Sequence, residues 1–124
     1  MIEVNEYVRT KTGLIAQIKS IDYENEIYKF DKDVYTNAFG FVTTTIYNNE
    51  MFQKMIKRHS KQLIDLVEVG DYVNGIEVLD IYKPRDLLEP IEIRGDSRYM
   101  NFILAEDIKT ILTKEMYMAN CYKV

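Results

Sequence analysis

Along the first third of the chain, apolar and polar positions alternate with a period of two, the pattern of half-buried strands. Val4-Asn5-Glu6-Tyr7-Val8 leads through Arg9-Thr10-Lys11-Thr12-Gly13 into Leu14-Ile15-Ala16-Gln17-Ile18. Gly13 supplies the backbone freedom for the turn between these two strands. Glu26-Ile27-Tyr28-Lys29-Phe30 alternates again and predicts a third strand after a turn at Glu24-Asn25. Asp31 to Gly40 has mixed character and reads as a loop. Phe41 to Tyr47 is dense in β-branched and aromatic residues and reads as strand.

The opening pattern then returns. Val69-Gly70-Asp71-Tyr72-Val73 repeats Val4 to Val8 with Val, acid, Tyr and Val in register. It is followed by Asn74-Gly75 and the run Ile76-Glu77-Val78-Leu79-Asp80-Ile81. Asn-Gly accepts two consecutive positive φ angles, so this copy predicts a tight two-residue hairpin. Between the copies the period changes to that of a helix. Asn48 or Asn49 is placed to cap a helix starting near Glu50, with Met51, Met55 and either Phe52 or Ile56 on one face. Lys54, Lys57 and Arg58 fall toward its C-terminal end, where cations suit the helix dipole. His59-Ser60 either ends that helix or opens a short turn before Leu63-Ile64-Asp65-Leu66.

In the last third, Lys83 to Pro90 holds both prolines and reads as a connecting loop. Ile91 to Arg94 reads as strand, Gly95-Asp96-Ser97 as a turn, and Arg98 to Leu104 as a further strand. A brief strand around Ile108 to Leu112 precedes a short helix capped by Thr113, and Asn120 to Val124 is expected back in the sheet. The predicted fold is α+β and mainly β, in a single domain over residues 1–124 with two related hairpin units, 3–30 and 68–82. Duplicated hairpins of this kind form either a small Src-homology-3-like barrel or a curved antiparallel sheet, here with one or two short helices. Val-Gly-Asp-Tyr-Val before a turn resembles the opening of Src-homology-3-like, KOW-type and Tudor-like small barrels.

Composition narrows the function more than it defines it. A chain of 124 residues with 47% apolar residues affords a packed core, and a net charge of −4 is the wrong sign for a surface coated in phosphate contacts. No apolar run is long enough to span a membrane, and MIEVNEYVRT lacks the apolar stretch of a secretory signal, so a cytoplasmic location is expected. His59 and Cys121 are the only residues of their types, too few for the usual zinc site, and both read as structural. Asp65, Glu68 and Asp71, like Asp22, Glu24 and Glu26, lack a calcium-loop pattern and read as solvated turns. Gly-rich phosphate loops, nucleophile elbows and His-Glu-x-x-His are absent. The expectation is therefore no catalytic residues, no metal and no cofactor: a binding protein and not an enzyme.

Charge and aromatic residues give the pointers to a partner. Residues 1–61 hold nine basic and eight acidic residues, 62–96 three and nine, and 97–124 four and three, for nets of +1, −6 and +1. Lys54, Lys57, Arg58 and Lys61 form a basic cluster with no acid among them. Such a cluster meets either an acidic protein surface or phosphates, or is simply a solvated helix end. Ten Tyr and five Phe, with no Trp, include Tyr23, Tyr28, Tyr35 and Phe39 around one loop, a composition suited to protein interfaces. Lys54, Lys57, Arg58, Lys61, Tyr35 and Phe39 are the candidate partner-binding residues.

Three stretches, Glu6 to Gly13, His59 to Gly75 and Ile108 to Glu115, resemble a group of small, largely uncharacterised proteins carried by phages and prophages of Gram-positive bacteria. Tyr28 to Phe52 and Tyr82 to Phe102 have no counterpart in that group. The resemblance implies an accessory protein that binds a host component, and inhibition of a defence nuclease in the manner of anti-CRISPR proteins is one expected mode. Direct nucleic-acid binding by a small barrel is the alternative, with the same cations on phosphates and Tyr on bases.

Overall fold

Asn74 and Gly75 adopt φ of 52° and 80°, the two left-handed conformations that the Asn-Gly pair predicts, and they join strands β8 (Tyr72–Val73) and β9 (Ile76–Tyr82). Hairpins of this kind organise both halves of the chain. A computed structural model describes residues 2–36, 39–83, 91–95 and 102–120. It divides into two compact units, Met1–Gln62 and Leu63–Val124, and each of the two related hairpins lies in one of them.

In unit 1, β1 (Tyr7–Thr10), β2 (Ile15–Asp22) and β3 (Ile27–Phe30) form an antiparallel meander. The chain then makes a two-stranded excursion, β4 (Tyr35–Thr36) with β5 (Val42–Thr43), before β6 (Thr45–Tyr47) returns to β3. Helix α1 (Asn49–Met55) leads into β7 (Ile56–Ser60), which pairs with β1. The sheet order is β6-β3-β2-β1-β7. Alternation directs Val8, Ala16, Ile18, Tyr28, Phe30 and Ile46 inward, where they pack with Val34, Phe52 and Ile56. Asn48, with φ 70°, caps α1 by accepting the N–H of Met51 at 2.8 Å, as its place before a helical period predicts.

Unit 2 follows the same route. A 3-10 turn (Leu63–Leu66) precedes β8 and β9; β10 (Glu92–Gly95) and β11 (Phe102–Leu104) extend the meander. A 3-10 turn (Ala105–Asp107) then leads into β12 (Ile111–Leu112), which pairs with β8, and α2 (Lys114–Asn120) follows. The order is β11-β10-β9-β8-β12, with a core of Ile64, Val67, Val73, Val78, Ile93 and Ile103. In both units four strands form a meander and the last strand returns to the first. Among the described residues both sheets are open antiparallel ladders and neither closes into a barrel.

Three sequence expectations are corrected here. Lys57, Arg58, His59 and Ser60 belong neither to the end of α1 nor to a second helical turn. Ile56 turns extended, with φ −93° and ψ 121°, and the segment is edge strand β7. Backbone pairing with β1 overrides the weak local preference of a Lys-Arg-His-Ser run. Asp31 to Gly40 is not all loop, because Tyr35–Thr36 forms β4, and the Phe41 to Tyr47 strand is broken at Thr44 into β5 and β6. The expected helix after Thr113 is present, with Thr113 Oγ1 accepting the N–H of Met116 at 3.3 Å. The readings for residues 84–90, 96–101 and 121–124, Cys121 included, lie outside the described residues.

Candidate interaction site

The repeated Val-x-acid-Tyr-Val segment holds a buried acid in each unit, contrary to the solvated turn expected at Asp71. In unit 1, Asn5 has φ 74°, its N–H donates to the carbonyl of Ile18, and the N–H of Ile18 donates to the carbonyl of Glu6, both at 2.9 Å. In unit 2, Gly70 has φ 96°, its N–H donates to Val78 at 2.9 Å, and Val78 donates to Asp71 at 2.7 Å. The backbone kink turns each acid inward. Glu6 Oε2 accepts the N–H of Glu3, and Asp71 Oδ2 accepts the N–H of Glu68 at 2.7 Å. Each acid spends its other oxygen at the end of the sheet where the last strand closes. Glu6 Oε1 takes the Nδ1–H of His59 on β7 at 2.9 Å, and Asp71 Oδ1 takes the N–H of Lys114 just after β12 at 2.9 Å. An ion pair lies beside each, Lys61 to Glu3 at 2.7 Å and Lys114 to Glu68 at 2.8 Å. The acid is thus a clamp that ties the first strand of each sheet to its closing strand.

Burial pushes the Glu6 carboxyl up. The hydrogen bonds from His59 and the Glu3 N–H, with the charges of His59 and Lys61, outweigh it and hold the group below its ordinary value of 4.5. A carboxyl depressed by folding contributes stability that is present above its unfolded value and lost as pH falls through the folded one. Unit 1 is therefore expected to loosen as pH drops below about 4.5, and Glu6→Gln, which cannot titrate, to flatten that loss. Amide exchange at Glu3 and along β7 as a function of pH reads this directly; an unchanged acid profile in Glu6→Gln contradicts the clamp.

The clamp positions the candidate residues. Glu6 fixes His59, and β7 presents Lys57, exposed, and Arg58, half-buried and directly opposite Arg9 of β1. Lys57, Arg58 and His59 line one cavity of about 370 Å3 together with Tyr28, Phe52 and Gln53. The Tyr28 and Phe52 rings lie 4.5 Å apart at 33°, and Phe52 meets His59 edge-on at 6.4 Å. Burial and the nearby Glu26 and Tyr23 raise the Tyr28 hydroxyl, which stays protonated and donates to Asn49 Oδ1. Lys54 and Lys61 are not among the residues lining this cavity: Lys54 is exposed and lies 3.4 Å from Glu50, and Lys61 is tied to Glu3. The four cations thus come from one continuous stretch without converging on one point.

Tyr35 lies elsewhere, on β4, half-buried against the unit 1 core. It lines a second cavity, about 310 Å3, with Leu14, Val34, Val42 and Met55. Phe39, at the tip of the β4–β5 excursion, is 86% exposed, and its neighbours Phe41 and Val42 are 70% and 61% exposed. The sequence pointed to Phe39 and to aromatic residues between Asp31 and Tyr47, among which Phe41 is exposed, and it passed over Val42, which read as part of an ordinary strand. It also missed the Glu6–His59 clamp, whose members lie 53 residues apart.

Among the described residues no group of three or more His, Cys, Asp and Glu is placed to hold a metal, and no helix is long and apolar enough to cross a membrane. No family model, no curated protein and no solved structure matches this chain.

Proposed function

We propose that this chain is a non-enzymatic accessory protein of phage or mobile-element origin that binds a host protein in the cytoplasm, and that the bound protein belongs to a bacterial defence nuclease. The observation that carries the reading is the β4–β5 excursion, which leaves Phe39, Phe41 and Val42 largely exposed within four residues of chain. Leaving three large apolar side chains in water is unfavourable in the free protein, and burial against a partner recovers it. The cavity beside the same excursion, lined by Tyr35, Val42 and Met55, offers a recess next to these exposed side chains, the relief of a docking surface.

Charge favours a protein over a nucleic acid. Glu50 and Glu3 sit against Lys54 and Lys61, so the basic stretch is a mosaic of both signs and not a track of phosphate-binding cations. The strand order, a meander whose last strand returns to the first, supports a Src-homology-3-like fold type in both units, a frame that presents its connecting loops to partners.

Affinity capture with the tagged full chain from a Gram-positive lysate, with and without nuclease, tests the reading. One host protein is expected to be retained after nuclease treatment, with little change in retention between about 50 and 200 mM salt. Loss of every retained species on nuclease treatment, or a steep fall with salt, overturns it in favour of direct nucleic-acid binding.

A further inference from the structure

We infer that the outer face of the unit 2 sheet is a two-fold interface between two copies of this chain; this goes beyond the host-protein reading and does not depend on it. The face is defined by register. Ile81, Ile93 and Ile103 stand opposite one another on β9, β10 and β11 and turn inward to the unit 2 core. The residues on either side of them point outward, because side chains alternate along a strand. They form two rows across the three strands, Tyr82–Glu92–Leu104 and Asp80–Arg94–Phe102. Tyr82 and Phe102 are 56% and 53% exposed, Asp80 and Arg94 are exposed, and Glu92 and Leu104 are half-buried. Large apolar side chains gathered in water on one sheet face favour burial against a partner.

The charges select the partner. Glu92 and Arg94, of opposite sign, lie two positions apart on β10, the middle strand of the three, which separates them by about 7 Å along the strand. Among the described residues neither makes an ion pair or a side-chain hydrogen bond, and Asp80 turns its Oδ1 to the N–H of Ile81 at 2.8 Å. A two-fold axis running across the strands at the level of Ile93 exchanges the two rows. It lays a second copy antiparallel on the first, with Glu92 of each against Arg94 of the other and Leu104 of each against Phe102 of the other. Tyr82 then meets Asp80, a carboxylate that accepts its hydroxyl proton. Sheets packed face to face stand about 10 Å apart, a gap that long side chains from both faces fill. A polyanion is repelled by Glu92 and Asp80 and a polycation by Arg94, whereas a second copy satisfies the β10 charges of both signs. Six positions on three short strands make a small interface, below about 1,200 Å2 in total, so the association is weak and reversible.

Sedimentation velocity of the full chain from about 10 μM to about 1 mM reads the equilibrium, with the fold of each variant checked by circular dichroism. The wild type is expected to pass reversibly from monomer to dimer across this range. Glu92→Arg and Arg94→Glu each set like charges against one another twice in the symmetric pair, and each is expected to weaken the dimer more than about tenfold. An equimolar mixture of these two variants brings a β10 with two cations against a β10 with two anions, and is expected to form a heterodimer at least as readily as the wild type pairs with itself. The double variant Glu92→Arg, Arg94→Glu exchanges the charges within each copy and is expected to dimerise like the wild type, which keeps the test decisive where a single variant fails to fold. A wild type that stays monomeric at the highest concentration overturns the interface. So does a single variant that dimerises as the wild type does, or a folded mixture or double variant that stays monomeric. Capture of a host protein is read separately, so failure of the dimer leaves the binding reading standing.

Discussion

Replacing Asp71 by Ala is expected to destabilise the protein by about 3 kcal/mol, because two part-buried backbone N–H groups lose the buried carboxylate that accepts them. Asp71 has no exposed surface, and its two oxygens take the N–H groups of Glu68 and Lys114, which lie before β8 and after β12. Water cannot replace a buried carboxylate at no cost, so most of the penalty is the desolvation of N–H groups left unpaired. For a unit of this size the loss corresponds to roughly 10 °C or more in thermal midpoint. Asp71→Asn keeps the shape and one acceptor but turns an amide NH2 toward a backbone N–H, and falls between the two. Protection of the Glu68 and Lys114 amides is expected to drop together in both variants. A midpoint for Asp71→Ala within the error of the wild type would remove the clamp from the account.

The second large effect concerns binding and leaves stability alone. The double variant Phe39→Ser, Phe41→Ser is expected to unfold within about 0.5 kcal/mol of the wild type, since both side chains are mostly exposed. Aromatic anchors at an interface commonly contribute about 2 kcal/mol or more each, so host-protein affinity is expected to fall by more than about a hundredfold. Retained affinity in a folded double variant would show that Phe39 and Phe41 are not part of the contact surface.

The parts of this structure that were legible in the sequence are those decided locally. Asn74-Gly75 has few conformations open to it other than a tight hairpin turn, and Asn48 and Thr113 announce helices by supplying an acceptor to the first turn. The repeat of Val4 to Val8 at Val69 to Val73 marked two equivalent strands, and the structure places them as the first strands of two sheets with the same order. What the sequence hid depends on residues far apart in the chain. Lys57 to Ser60 has no strand pattern of its own and is extended because β1 offers it a ladder. Asp71 looks like a solvated turn acid and Glu6 like one polar position of a strand until the chain brings Lys114 and His59 to them across 43 and 53 residues. Of the candidate site, Lys57 and Arg58 share a cavity with His59, a residue read as structural, while Phe39 stands with Phe41 and Val42. The sequence identified the residue types of a contact surface, and folding decided which of them stand together.

The most direct test of the binding surface is amide hydrogen exchange of the full chain, free and bound to the captured host protein. New protection is expected in residues 39–47, around the exposed Phe39, Phe41 and Val42, extending to the β7 stretch that lines the unit 1 cavity. Protection confined to unit 2, with residues 39–47 exchanging as in the free protein, would contradict it.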